Sequence, residues 1–261
     1  MNPFSVVDPL YVLSGFFVGL LIGQTGVGGG SLMTPILVLL FGVHPATAVG
    51  VDLLYASATK TVGTLVHGLN HTVGWPIVRR LASGSVPATL VTLVAISYLN
   101  IAGPMSARII SLLLGLMLLL TAVSLVFRHQ FLRLMGPVLD RVTPRQAARL
   151  TVVTGAMLGV MVTLSSVGAG ALGVTALLLL YPRVPMKVIV GSDIAHAVPL
   201  TLVAGVGHWW LGSMDWPLLS SLLSGSIPGI ILGSYLSARI PDAVLRPVLA
   251  TVLCIVGGRL V

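Results

Sequence analysis

Apolar residues come in long runs over almost the whole chain, at 10–25, 30–43, 46–66, 81–99, 105–127, 150–164, 171–182, 186–206, 217–237 and 244–261. Several reach the roughly 20 residues that a helix rising about 1.5 Å per residue needs to cross a bilayer. The pattern predicts an all-helical chain that lies in a membrane from end to end. Two pairs of runs differ from the rest. The runs 10–25 and 30–43 are each short of a span, and Thr25-Gly26-Val27-Gly28-Gly29-Gly30 separates them. Ser165-Ser166-Val167-Gly168-Ala169-Gly170 takes the same place between 150–164 and 171–182. Each pair is expected to form a re-entrant hairpin of two half-helices that meet at mid-depth, where non-helical backbone survives only if protein buries it or water lines it.

Composition sharpens this. Of 261 residues 56% are hydrophobic and 8% charged, against about a quarter charged in soluble domains, and the mean hydropathy is +1.07. No Lys or Arg precedes the first apolar run and no small-residue cleavage site follows it, so the first segment is expected to stay in the mature protein. The net charge of +8 does not point to nucleic acid, because the Arg residues are scattered along membrane flanks without aromatic interleaving. A single cysteine, Cys254, sits in an apolar run and excludes a disulfide framework or a Cys-based metal site. The acidic residues are six Asp, with no Glu.

Sliding the second half over the first at an offset of 140 brings Gly15, Gly19, Gly28 and Gly30 onto Gly155, Gly159, Gly168 and Gly170. At an offset of 141, Gly50-Val51-Asp52 meets Gly191-Ser192-Asp193, His67 meets His208 and Trp75-Pro76 meets Trp216-Pro217. Gly84-Ser85-Val86-Pro87 meets Gly225-Ser226-Ile227-Pro228 at the same offset. The chain therefore reads as two copies of one module, 1–127 and 150–261, joined by an Arg-rich linker at 128–149. Such duplication recurs in transporters, although channels and membrane enzymes are duplicated too.

Cytoplasmic flanks attract Lys and Arg, and the linker holds five Arg against one Asp, which puts it inside. If each module opens with a hairpin that returns to its own face and continues with three crossings, eleven basic residues lie inside and two outside. If each opening segment crosses once, the bias falls to eight against five. The expected fold is thus an all-α integral membrane protein of two inverted repeats, each a broken re-entrant helical hairpin plus three transmembrane helices. The linker is then cytoplasmic and both termini periplasmic.

A re-entrant tip sets the N-terminus of the returning half-helix, with its unpaired N–H groups and positive dipole end, near the bilayer centre, which makes an anion site without a charged side chain. Candidate substrate-binding residues are Gln24, Thr25, Gly26, Gly28, Gly29, Gly30, Ser31 and Thr34 at the first tip and Ser165, Ser166, Gly168 and Gly170 at the second. The other reading of these glycines is close helix packing. Asp52 and Asp193 occupy matching positions and either carry protons or satisfy exposed backbone. Lys60 and His67 follow Asp52 at helical spacing within a sector of about 80°. Lys60 would draw the anion into the pathway or snorkel from a buried stripe; Thr201 replaces it in the second module, making the pathway asymmetric. His67 and His208, with His71 and His196 nearby, are candidates for proton coupling or for hydrogen bonds at interfaces. Trp75, Trp209, Trp210 and Trp216 read as interfacial anchors. No metal-ligand spacing, catalytic elbow or nucleotide loop is present in the sequence, so neither enzyme chemistry nor a cofactor is expected.

The Thr25–Gly30 tip followed by Pro35, the Ala48-Val49-Gly50 run, the Gly74-Trp75-Pro76 turn, the Gly84-Ser85-Val86-Pro87 segment and their second-module counterparts resemble the TauE/SafE family, also described as sulfite exporters or sulfonate permeases. The resemblance covers essentially the whole chain. It implies a secondary transporter of the bacterial inner membrane that moves sulfite, an organosulfonate or a related sulfur-containing anion, mainly outward, by alternating access and with proton coupling as an option. A passive anion channel is the alternative. Expected partners are the small anion, membrane lipid and, as an option, a second copy in a homodimer, with no nucleic acid. Where the family commonly has Thr after Gly50 and Gly191, this chain has Val51 and Ser192. Replacing Gly29 by Leu should abolish anion flux into proteoliposomes while leaving membrane insertion intact; normal flux in that variant would remove the first tip from the site.

Overall fold

Prolines set many of the helix starts, because a first-turn residue has no intrahelical use for its N–H and proline supplies the helical φ. The computed structural model describes residues 8–25, 30–98, 104–139, 142–236 and 242–260. In chain order the helices are α1 (Pro9–Thr25), α2 (Gly30–Leu39), α3 (Pro45–Leu69), α4 (Trp75–Tyr98), α5 (Pro104–Val126) and α6 (Arg128–Leu139). They continue with α7 (Pro144–Ser165), α8 (Ala171–Leu180), α9 (Met186–Trp210), α10 (Trp216–Leu236) and α11 (Asp242–Leu260). Four begin on proline, α4 and α10 carry one as their second residue, and Pro185 is the N-cap of α9. Helix is the only regular structure among the described residues.

Among the described residues five helices are long and apolar enough to cross a membrane: Trp75–Tyr98, Arg108–Val126, Pro144–Ser165, Met186–Trp210 and Trp216–Gly233. The chain is a multi-pass membrane protein. α3 is as long as α9, at 25 residues, but Asp52, Lys60 and its hydroxyl residues lower its hydropathy. α2 and α8 have 10 residues each, half of what a crossing requires. α7 is longer than the apolar run 150–164 suggests. Its extra turns start in the basic segment, where Thr143 and Gln146 form a reciprocal capping box ahead of Pro144. The 128–149 linker also holds a helix, α6.

The principal pairings are α1 with α10, α4 with α7, α3 with α9 and α5 with α11. By the sequence offsets α1 corresponds to α7 and α10 to α4, so the first two pairings are one arrangement made twice, each with partners from both halves. Glycine makes it possible. A Cβ at Gly15 or Gly19 would run into the backbone of Leu222 or Ser226, and one at Gly225, Gly229 or Gly233 into that of Val12, Phe16 or Leu20. Gly155 and Gly159 meet Leu81 and Ser85 in the same way, and Gly84 meets Val152. These are close backbone crossings of the kind small residues allow between membrane helices, so for Gly15, Gly19, Gly155 and Gly159 the packing reading holds.

The core follows from these crossings. One cluster joins Val18 and Ile22 of α1 with Met33 and Leu37 of α2, Val51 and Tyr55 of α3, Leu222 of α10, and Val167 and Ala171 around the second break. Residues beside both helix interruptions therefore share one packed core. Large apolar side chains such as Phe17, Val91, Leu116, Met157 and Ile255 are exposed on the outside, as lipid-facing positions are. Trp75, Trp209 and Trp216 stand exposed at helix ends, and Trp209 and Trp216 meet edge to face at 5.5 Å. Gly225→Val should lower the thermal stability of the detergent-solubilised protein by about 1–3 kcal/mol, the cost of overpacking. Gly258, which has open space around it, should accept Val without loss; equal effects at the two positions would contradict the crossing.

Candidate functional site

Burying ionisable groups is costly unless a counter-charge, hydrogen bonds or a proton compensates. This fold buries Asp52, Lys60, Asp193 and His196 together, at exposures of 0, 3, 1 and 0%. Asp52 and Lys60 come from α3, Asp193 and His196 from α9, the two helices that cross face to face. The electrostatic field of Lys60 falls on Asp193, Asp52 and His196 alike. Among the described residues no ammonium–carboxylate contact within 4.0 Å joins them.

The two carboxylates have unlike surroundings. The Thr34 hydroxyl on α2 donates to Asp52 Oδ2, and Ser166, at the second break, stands beside the same carboxylate. Asp52 Oδ1 and Ser166 Oγ have no hydrogen-bond partner. Asp193 has no partner on either oxygen. Its Oδ1 lies so close to Gly173 of α8 that a Cβ there would collide with it. At the offset of 140 that brings Gly30 onto Gly170, Thr34 corresponds to Val174, so the second module has no hydroxyl at the place that serves Asp52. The next residue, Thr175, donates 2.8 Å to Ala171 O and accepts from Ser124 at 3.1 Å.

One residue that the sequence did not single out for the site, Ser85, completes the cluster. Ser85 Oγ shares a 2.9 Å hydrogen bond with His196 Nε2, leaving Nδ1 without a partner. At the offset of 141 Ser85 corresponds to Ser226 and His196 to Tyr55, and Tyr55 neighbours Ser226. The signal was in the repeat: the Gly-Ser-hydrophobic-Pro segment keeps its serine in both halves, and its α-helical partner differs between them.

The second break is fully described. α7 ends at Ser165, Ser166 follows in the left-handed region with φ 58°, and Gly168 and Gly170 have φ of 121° and 122°. Side chains rarely take such φ values, which accounts for glycine at 168 and 170. The two serines have different roles. The Ser165 hydroxyl donates 2.8 Å to Met161 O and accepts 3.2 Å from Val167 N, so it closes the helix end. Ser166 keeps its hydroxyl free and is 5% exposed. At the first break Gly26, Gly28 and Gly29 lie outside the described residues, as do the side chains of Gln24, Thr25 and Ser31; Gly30 opens α2.

His67 and His208 lie apart from the cluster, at equivalent helix ends. His67 Nδ1 and Thr72 Oγ1 are 2.8 Å apart, and His208 Nε2 is 2.9 Å from Thr163 O. His67 packs over Gly191 and His208 over Gly50. His208 also lines a cavity of about 150 Å³ with Ser97, Ile110 and Leu164. Thr201, the counterpart of Lys60, turns its hydroxyl to Ala197 O at 2.8 Å. The Ser192 hydroxyl donates 2.6 Å to Val188 O and accepts 2.9 Å from Gly74 N, so it fastens a loop. A valine at 51 therefore removes a loop fastening of this kind.

A family profile described as "Sulfite exporter TauE/SafE" matches residues 11–260. The chain belongs to the TauE/SafE family. Among its relatives is the "Probable membrane transporter protein YjnA" of Bacillus subtilis (strain 168), 37% identical over 96% of this chain and 98% of the relative. The "Probable membrane transporter protein YdhB" of the same organism is 23% identical over 95% of this chain and 98% of its own length. The "Probable membrane transporter protein MJ0441" of Methanocaldococcus jannaschii is also 23% identical, over 97% and 95%. No solved structure matches. This TauE/SafE chain is a membrane transporter, and its buried charged cluster lies against the broken helix pair α7 and α8. Thr34→Val, which strips Asp52 of its hydroxyl donor, should cost about 1.5–3 kcal/mol of thermal stability, the range for a hydrogen bond to a charged group. Thr175→Val should cost less, and the reverse order would mean that Asp52 does not need Thr34.

Proposed function

We propose that this transporter carries a small sulfur-containing anion, sulfite or an organosulfonate, by alternating access between two inverted modules in the bacterial inner membrane. The observation that carries the reading is Lys60, an ammonium 3% exposed and without an ion-pair contact among the described residues, in a buried cluster whose aspartates lie against the break between α7 and α8. A cation left so is compensated by an anion that comes and goes. The reading is supported by Ser166, a buried hydroxyl beside Asp52 that makes no hydrogen bond within 3.5 Å, and by the N-terminus of α8, whose N-cap Gly170 supplies no side-chain hydrogen bond. Ser166, Gly168, Gly170 and Lys60 form the substrate side of the site, and the first tip, 26–31, is its proposed counterpart. Thr34 acts through Asp52, and Ser165 shapes the tip. Substrate class comes from the family description, which names sulfite export.

Alternating access is supported by the reciprocal pairing of α1 with α10 and α4 with α7. Each opening helix packs against the other module, and alternating access rocks one module, 1–127, against the other, 150–261. The hairpins are α1 with α2 and α7 with α8. The linker 128–149 is cytoplasmic and both termini are periplasmic. His67 and His208, bonded at the helix ends, serve as pathway walls.

Sulfite and isethionate uptake by proteoliposomes tests this. Flux should saturate, and Lys60→Met should raise the half-saturating concentration about 10- to 100-fold, the loss of one charged hydrogen-bond partner. Unsaturable flux would favour a channel, and an unchanged half-saturation would take Lys60 out of the site.

A further inference from the structure

The sequence makes Asp52 and Asp193 equivalents, and the fold does not. Asp52 is held by the Thr34 hydroxyl. Asp193 is as deeply buried and has nothing on either oxygen. From α3, Lys60 faces Asp193, with Asp52 beyond it on the same lysine; His67 of the same helix packs over Gly191 but is bonded to Thr72. From α8 comes Gly173, and that helix has no titratable residue. The charged residues of α4 and α7 are Arg79, Arg80, Arg145 and Arg149, all in the first two turns, with Arg80 turned to Tyr181 at 3.2 Å. On α9 itself His196 is engaged with Ser85 through Nε2. Lys60 is thus the counter-charge available to Asp193, and the anion of the proposed function competes for it.

We propose that Asp193, and not Asp52, exchanges the proton of the transport cycle, taking it up as the arriving anion draws Lys60 away. This rests on the transport reading above. In the empty protein the Lys60 ammonium balances the Asp193 carboxylate. A monovalent anion takes over the ammonium, and the carboxylate, left without a counter-charge, takes a proton from the same compartment. Release of both on the other side restores the pair. The summed charge of Lys60, Asp193 and a monovalent anion is zero before and after loading, so one proton travels with each anion and the step is electroneutral. Asp52, fixed by Thr34, is a positioning residue.

Isethionate, which stays monovalent across the working pH range, is the substrate for the test. In proteoliposomes its flux should ignore an imposed membrane potential, follow an imposed pH gradient and carry one proton per anion. Half-saturation should rise up to about tenfold per pH unit once Asp193 titrates in the empty protein, the linkage limit for one proton. Asp193→Asn should move no proton, lose its pH dependence and respond to the membrane potential. Asp52→Asn should keep the proton-to-anion ratio whatever its rate. Coupling that survives in Asp193→Asn, or that disappears instead in Asp52→Asn or His196→Gln, overturns the proposal. If neither isethionate nor sulfite moves in the wild-type protein, the transport reading fails, and infrared spectra of the purified protein titrated with acid and base still decide on Asp193. A buried protonated carboxyl band lost in Asp193→Asn and kept in Asp52→Asn supports it. No such band, or one lost only in Asp52→Asn, overturns it.

Discussion

A charge inside a membrane protein must be answered by a counter-charge, by hydrogen bonds or by a proton, and much of this architecture is arranged around that demand. Two carboxylates and one ammonium stand in the crossing of α3 and α9. One carboxylate is answered by a hydroxyl from α2. The other is left to a lysine that makes no ion-pair contact within 4.0 Å among the described residues. With all three ionised the group carries a net negative charge, and on the proposal above a proton must enter with the anion.

The placement of these groups depends on how near the helices come. α1 against α10 and α7 against α4 approach until backbone meets backbone, with glycine on the contact face. Ser85 and Ser226, next to the glycines of these seams, are thereby carried to the α3–α9 crossing, where Ser85 reaches His196. Packing and chemistry share the same few turns of helix, so a change at Gly159 would be felt at Ser85 before it was felt at the lipid surface.

Helix content, the break between α7 and α8 and the burial of Asp52, Lys60 and Asp193 were legible in the sequence, because apolar runs, glycine clusters and isolated charges act locally and need no knowledge of partners. What was not legible depends on pairing across the chain. The reach of α7 back to Pro144 comes from a capping box in a segment that reads as an Arg-rich linker. The glycines at 15, 19, 155 and 159 match between the halves at the same offset as those of the tips, yet they serve helix crossings, and the tip glycine 170 serves a φ of 122°. Sequence spacing placed His67 on the face of Asp52 and Lys60, but its ring is taken by Thr72 one turn beyond. Ser85 was visible as part of a repeated segment and gained meaning only with His196 opposite it.

Duplication gives two equal halves, and equal halves cannot by themselves hold an odd charge. Several departures from equality fall at this crossing: Lys60 against Thr201, Tyr55 against His196, and Thr34, which serves an aspartate, against Val174, which has no hydroxyl. Other positions keep their match, as in His67 and His208, each packed over the glycine that precedes the other helix's aspartate by two residues. A fold that needed only symmetry for its rocking motion would gain nothing from such departures and would incur the burial of an unpaired lysine. Their concentration around Asp193 is what functional specialisation of one site within a symmetric frame requires: the frame supplies two equivalent carboxylates, one is fastened, and the other is left free to change its charge.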